Sequence, residues 1–359
     1  MTGPAVHVVL PGIVDDPRRP SGGSRYDERV CRELASCGWE VRRSVVRGAW
    51  PGPGGEERAE VEQVLGEMPP HALVLVDGLV ASACPEALAG HASRLRVVVL
   101  LHLPAADEPG REDAGSVAAR ERSALRCARA VVVPSEATRR RLLAEAPIPG
   151  LTVHVAPPGA DQAPLTPATA AGTRLVCVAA VTRRKGHDVL LEALSTLDDL
   201  DWTLVCAGPE DREDGCADLV RRMIAEAGIG GRVHLLGPLG ADAVAAVYAA
   251  ADLLVLPSRA EPYGMVVTEA LARGVPVVGS AVDGLPEALG RAPGGELPGE
   301  LVPPGDSRAL ARALRRWLTE PQLRTALRAA ALARRGTLPS WDATTSAVAA
   351  ALTAAAGAP

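Results

Sequence analysis

The chain has 359 residues, enough for two domains that each bury a core. Its 47% hydrophobic and 23% charged residues exclude both a small disulfide-stapled module and extended disorder. A formal net charge of -5 gives no overall pull toward nucleic acid, so any anion site must be local.

Usage is skewed toward arginine: Phe and Asn are absent and Lys185 is the only lysine, a pattern of GC-driven codon bias. Arginine replaces lysine readily wherever a solvated charge suffices, so a lone surviving lysine is either chance or a compact ammonium that was needed. The seven cysteines form no CxxC pair and no Cys/His cluster with zinc spacing, and they read as buried, reduced thiols of a cytoplasmic protein.

In chain order, MTGPAVHVVLPGIV lacks a basic leader and reads as a first strand, Val6 to Leu10, rather than a signal peptide. A Pro/Gly/Asp-rich loop, a helix from Ser24 to Ser36 and a strand from Glu40 to Val46 complete a βαβ opening. Further strands are expected at Ala72 to Val76, Arg96 to Leu101 and Ala130 to Val133, with helices at Ala83 to His91, Ser116 to Ala128 and Glu136 to Glu145. Short apolar strands alternating with amphipathic helices predict a parallel sheet covered on both faces. The stretch from Pro157 to Thr173 carries no periodicity and reads as a linker, after which the pattern restarts. Strands are expected at Arg174 to Val181, Trp202 to Ala207, Val233 to Leu235, Leu253 to Leu256 and Val275 to Gly279. The intervening helices are His187 to Thr196, Ala217 to Ala227, Ala241 to Ala250 and Val267 to Arg273. Two arginine-rich helices, Arg308 to Leu318 and Gln322 to Arg334, read as solvated faces, with contact to anionic lipid as the other reading. A last helix runs from Trp341 to Ala355, and no run approaches the roughly 18 apolar residues of a spanning helix.

Parallel sheets bind ligands outside the carboxyl ends of their strands. The first strand is followed by PGIVDD, so the GxGxxG dinucleotide fingerprint is missing, as is a Walker lysine motif. The segment SRAEPYGMVVTEALARGVPVV follows the strand ending at Leu256 and separates Glu261 from Glu269 by seven residues. Gly264 there lets backbone approach a ligand, and the amides of Gly264, Met265 and Val266 are donors at a helix start. Lys185 follows a strand in a turn closed by Gly186, and His102 and Asp77 follow strands of the first half. Each residue alone also fits a bland role in a turn, a cap or a solvated surface.

Together these segments resemble the retaining GT-B glycosyltransferases of family four in the glycosyltransferase classification. The stretch from HLLGPLG to GLPEAL is similar to that family's donor half, AAVTRRKGHDVLLEAL to its phosphate-binding turn, PPGAD to its interdomain signature, SGGSRYDERV to its N-terminal glycine loop and ELVPPGD to its closing loop. The resemblance implies an α/β GT-B fold of two Rossmann-like parallel domains facing an interdomain cleft. An acceptor domain would span residues 1–160, a donor domain 161–336, with a final helix within 337–359 returning to the first. It implies transfer of a sugar, with retention, from a nucleotide diphosphate sugar (UDP- or GDP-sugar) to a hydroxyl of a small-molecule, glycan or lipid-linked acceptor. No cofactor and no metal are implied, and no DxD is present to hold a divalent ion.

On this pattern Lys185 and Arg184, with Arg183 as the alternative, neutralise the leaving diphosphate; many relatives carry an arginine where this chain has Ala180. Glu261 holds sugar hydroxyls and Glu269 ribose hydroxyls, within a donor loop that includes Tyr263. Gly22 and Gly23 close over the phosphates, His102 lies beside the sugar, and Asp77 is a weaker acceptor-side candidate. Asp161 and Glu287 match positions near the hinge and the base. A nucleotide-sugar epimerase does not need the paired glutamates, and a pyridoxal phosphorylase needs its lysine deeper in the second domain. A non-catalytic sugar-nucleotide binder would be expected to have lost Glu261 or Lys185; both are present.

Overall fold

A computed structural model describes residues 3–15, 21–50, 52–107, 114–145 and 147–357. Among these, one compact unit comprises the residues up to Gly159 and from Pro339 onward, and a second comprises Ala160–Leu338.

The first unit holds six strands: β1 (Ala5–Pro11), β2 (Glu40–Val46), β3 (Leu73–Asp77), β4 (Arg96–Leu100), β5 (Ala130–Val133) and β6 (Thr152–Val155). All pairings are parallel, in the order β2-β1-β3-β4-β5-β6. Chain order therefore reverses direction between β1 and β3. The inner strands β3 and β5 are buried throughout, and β1 and β4 are buried beyond their first residues, as continuous apolar runs such as LVLVD demand when helices cover both faces. The helix Trp341–Gly357 packs in this unit beside Gly22–Ser36: Trp341 meets Tyr26 edge-on at 5.8 Å, and Thr344 donates to the carbonyl of Pro157 at 2.6 Å.

The second unit holds β7 (Arg174–Val178), β8 (Thr203–Ala207), β9 (Val233–Leu235), β10 (Leu253–Leu256), β11 (Val277–Ser280) and β12 (Gly299–Val302). They are again all parallel, in the order β12-β11-β10-β7-β8-β9, which is the Rossmann order with its reversal between β7 and β10. The core is one contiguous cluster built from both sheet faces and the surrounding helices.

Several expectations are corrected. The helix Gly55–Gly66 was not expected, because only Val61 and Leu65 are buried and the PGPGG before it reads as loop. The edge strands β6 and β12 were missed, being short and partly exposed. Gly22 and Gly23 do not precede the first helix but open it, with Ser21 as N-cap accepting from the Ser24 amide at 3.0 Å. The regular ladder of β7 ends at Val178, although the amides of Ala179 and Val181 still reach the carbonyls of Ala207 and Pro209. All seven cysteines are unpaired, but Cys37 is exposed and Cys127 half-buried rather than buried. The supposed linker is tied to the second unit: the Thr169 amide and hydroxyl donate to buried Asp252 at 2.7 and 2.6 Å, and Thr166 donates to the carbonyl of Tyr248 at 3.0 Å.

The arginine-rich helices Ser307–Thr319 and Pro321–Arg335 direct most of their guanidinium groups at the protein itself. Arg315 pairs with Asp199 and Arg316 with Glu300, while Arg324, Arg334 and Arg335 donate to backbone carbonyls. No helix among the described residues is long and apolar enough to cross a membrane.

Candidate active site

In the second unit the loops leaving β7 and β10 emerge side by side at the reversal of strand order, where open α/β sheets leave a crevice. Residues 76 apart in sequence meet there: the Lys185 ammonium forms an ion pair with Glu261 Oε2, both side chains being largely buried at 14% and 8% exposure. The close approach depends on Gly186. Its φ of +70° is left-handed, and a Cβ would lie 2.2 Å from the carbonyl oxygen of Pro257. Ser258 donates its hydroxyl to the same Glu261 oxygen at 3.1 Å, and the Glu261 amide donates to Asp283 Oδ2 at 2.9 Å. Asp283 has a left-handed φ of +43°.

Charge follows this geometry. Burial alone raises the Glu261 carboxyl, but the adjacent Lys185 and Arg184 charges outweigh it and hold Glu261 below the usual glutamate range. Burial lowers the Lys185 ammonium, Arg184 adds to that, and Glu261 opposes it. Arg184 donates from Nη1 to the carbonyl of Ala260 at 3.0 Å, and its buried Nε meets no acceptor among the described residues. Arg183 instead points outward, 81% exposed and paired with Glu213. The two neighbouring arginines are thereby distinguished: Arg184 lies with the Lys185–Glu261 pair, and Arg183 does not.

Gly264, at φ +96°, caps the helix Met265–Leu271, whose first amides have no intrahelical acceptor. A Cβ at Gly264 would lie in van der Waals contact with Glu261 Cγ at 3.4 Å, so it is the left-handed φ that favours glycine there. Within that helix Glu269 is half-buried and accepts from the hydroxyl of fully buried Tyr248 at 3.1 Å. Tyr263 is buried, and burial pushes its hydroxyl up to about 12. Glu287 lies in the first turn of Leu285–Leu289, and Asp161 lies in the segment entering the second unit.

In the first unit, the reversal between β1 and β3 gathers a second group. His102 Nε2 lies 2.7 Å from Asp27 Oδ1 and 3.5 Å from Asp77 Oδ2, with both carboxylates 2% exposed. A carboxylate partner makes Nε2 the proton-bearing nitrogen. Gly23 packs against the same ring, where a Cβ would lie 3.1 Å from Cδ2, and Tyr26 meets it edge-on at 5.1 Å. Asp77 caps the helix Gly78–Ala83 by accepting from the Leu79 amide at 2.7 Å. Burial first, and then the Asp27 charge, push the Asp77 carboxyl up to about 7, against His102 and the backbone amides. Asp27, Asp77 and His102 are also the one group among the described residues whose ligand atoms gather closely enough for a cation, within 4.8 Å. A proton on Asp77 provides the same neutralisation.

The sequence pattern missed Asp27, Asp283, Ser258 and Tyr248, each of which orients a residue it had singled out. The i, i+4 spacing of Gly23 and Asp27 on one helix face was the available signal for the first.

Residues 170–334 match the glycosyl transferases group 1 family, and residues 5–159 match the glycosyl transferase 4-like domain. The chain belongs to the group 1 glycosyltransferases. It is 37% identical over 178 residues to the D-inositol 3-phosphate glycosyltransferase of Streptomyces griseus, a match covering 48% of this chain and 37% of that protein. The protein of the same name from Kineococcus radiotolerans is 34% identical over 260 residues, covering 65% of this chain and 58% of the relative. The matched region spans about a third of the length of several of these curated relatives. Among solved structures, sucrose-phosphate synthase from Thermosynechococcus elongatus superposes with a TM-score of 0.74 at 22% identity, covering 96% of this chain and 97% of that one. Anabaena HepE in complex with UDP-glucose gives 0.74 at 19% identity, covering 97% and 99%. At such identities these likenesses concern the GT-B fold of the group 1 glycosyltransferases.

Proposed function

We propose that this glycosyltransferase moves a sugar, with retention and without a metal, from a UDP- or GDP-sugar to a hydroxyl acceptor. The observation that carries the reading is the Lys185–Glu261 pair, with Arg184 beside it, at the strand-order reversal of the second unit. A cation and a hydroxyl-accepting carboxylate side by side suit the two ends of the bond that breaks, between an anionic diphosphate and a polyhydroxyl ring. The bond from the anomeric carbon to the diphosphate oxygen breaks, and a bond to the acceptor oxygen forms on the same face. The acceptor's proton passes to a donor phosphate oxygen. Lys185 and Arg184 stabilise the charge left on the diphosphate, and the Gly22 and Gly23 amides add to it. Glu261 accepts from sugar hydroxyls, Glu269 from the ribose, and Gly264, Met265 and Val266 provide backbone donors beside Tyr263. His102, fixed through Nε2, faces the sugar, and Asp77 lies on the acceptor side, for a small-molecule, glycan or lipid-linked acceptor.

HepE was solved with UDP-glucose, which favours a UDP-sugar as the first donor to test. The curated relatives act on an inositol phosphate by name, which favours a polyol phosphate as the first acceptor. The unpaired thiols fit a reducing cytoplasm. The test is a screen of UDP-, GDP- and ADP-sugars for nucleotide release, with and without excess EDTA. Release from one nucleotide class that persists in EDTA is expected. Activity abolished by EDTA and restored by Mn²⁺ would overturn the metal-independent reading, and no release from any donor would overturn the transfer itself.

A further inference from the structure

The first unit contains a cavity of about 400 Å³ at the amino ends of β1, β3 and β4, the opposite end of the sheet from Asp77 and His102. It therefore lies apart from the candidate active site. Its volume and mostly apolar wall are those of a small-molecule pocket, in which a few polar groups fix orientation. Those groups are His7, Arg42, His71, Arg96 and the Thr353 hydroxyl, and no Asp or Glu lines it among the described residues.

Arg96 carries the argument. It opens β4, its Nε is sealed from water without a hydrogen-bond acceptor, and no acid pairs with its guanidinium among the described residues. That nitrogen is closed off by the protein itself, so an anion in the cavity would meet the guanidinium through its outer Nη groups, which have no acid partner among the described residues. His71 has a left-handed φ of +63°, an uncommon conformation for a residue other than glycine. Arg42 is partly engaged: its Nε and Nη2 both meet Glu40 Oε1 at 2.8 Å, which leaves Nη1 uncommitted among the described residues. Burial and the Arg42 charge hold the His7 ring below the usual histidine range, so that the arginines supply the positive charge. Trp39 and Leu73 give the cavity a flat apolar wall.

We propose that this cavity is a second binding site, for a compact organic anion whose carboxylate or phosphate meets Arg96 and Arg42 while its apolar body lies against Trp39 and Leu73. A forked guanidinium suits either acid group.

The test is calorimetric titration of the full chain with phenyl phosphate and with benzoate. Saturable binding of at least one probe is expected, and the tighter one names the acid group. Arg96→Gln is expected to weaken it at least about tenfold, the loss that goes with a charge-assisted hydrogen bond. Trp39→Leu should weaken phenyl phosphate while leaving inorganic phosphate unchanged. Should Arg96→Gln lower the melting temperature of the unliganded protein, Arg42→Gln gives the same reading from an exposed position. No saturable binding of either probe overturns the proposal, as does binding that survives the arginine substitutions in folded protein.

Discussion

Replacing Lys185 by Met tests the buried ion pair separately from any catalysis. The substitution keeps most of the side-chain volume and removes the charge facing Glu261, whose side chain is only 8% exposed. What remains around that carboxylate is the Ser258 hydroxyl and Arg184, whose Nη1 is already engaged with a backbone carbonyl. Removing one partner of a buried pair typically costs about 3–5 kcal/mol, because the other charge is left uncompensated. The double variant Lys185→Met/Glu261→Gln removes both charges and should recover about 1–3 kcal/mol of that loss.

The sign with pH follows. In the native protein Glu261 is held low, so its contribution is present above the usual glutamate range and lost as pH falls through its folded value. Without Lys185, burial prevails and Glu261 rises, so stability is instead lost as pH climbs through the raised value. The penalty of Lys185→Met should therefore be larger near pH 8 than near pH 5. Tryptophans occur in both units, so hydrogen exchange of peptides from Ala160–Leu338 is the appropriate assay. Strictly additive losses, or a penalty indifferent to pH, would refute the argument.

Four further outcomes follow from the same geometry. Glu269→Gln should weaken free nucleoside diphosphate binding by about 1.5–3 kcal/mol. Glu261→Gln should leave that affinity intact while lowering turnover about 10²-fold or more, since the contacts proposed for it are to the sugar; equal affinity losses in calorimetry would show the proposed donor pose to be wrong. Asp77, raised to about 7 and 2% exposed, contributes stability below the usual aspartate range that is lost as pH rises toward 7. Asp77→Asn keeps the cap on Leu79 and should flatten that slope in denaturant titrations between about pH 4 and pH 7. Gly186→Ala should destabilise the second unit by more than the roughly 1 kcal/mol typical of a left-handed position, because its Cβ meets the Pro257 carbonyl; an unchanged melting temperature would contradict the close approach.

The strands were legible where burial on both faces wrote a continuous apolar run, as in β3, β4, β5 and β10; the edge strands β2 and β9 were also read, whereas the four-residue edge strands β6 and β12, partly exposed and set among Pro and Gly, were not. The helix Gly55–Gly66 failed for a related reason: with two buried residues in twelve, its period is too thin to distinguish it from charged loop. Thr169 and Asp252 show the limit for linkers. A polar, aperiodic stretch can be held firmly by a single buried carboxylate more than eighty residues away, and nothing local announces it.

At the candidate site, the sequence indicated the residues that end strands but not the ones that aim them. Lys185 and Glu261 each follow a strand, and a parallel sheet places such positions at one edge, so both could be named separately. That they meet depends on strand order, since β7 and β10 are neighbours only because the chain reverses direction there, and order is a property of tertiary packing. Asp27 and Asp283 are hidden for the same reason. Each is an ordinary acid in its local context and gains meaning through a partner 75 or 22 residues away, His102 in one case and the Glu261 amide in the other. Residues that orient others contribute through distance and angle, which leave no spacing signature. Their identification therefore depended on the three-dimensional arrangement of the two sheets.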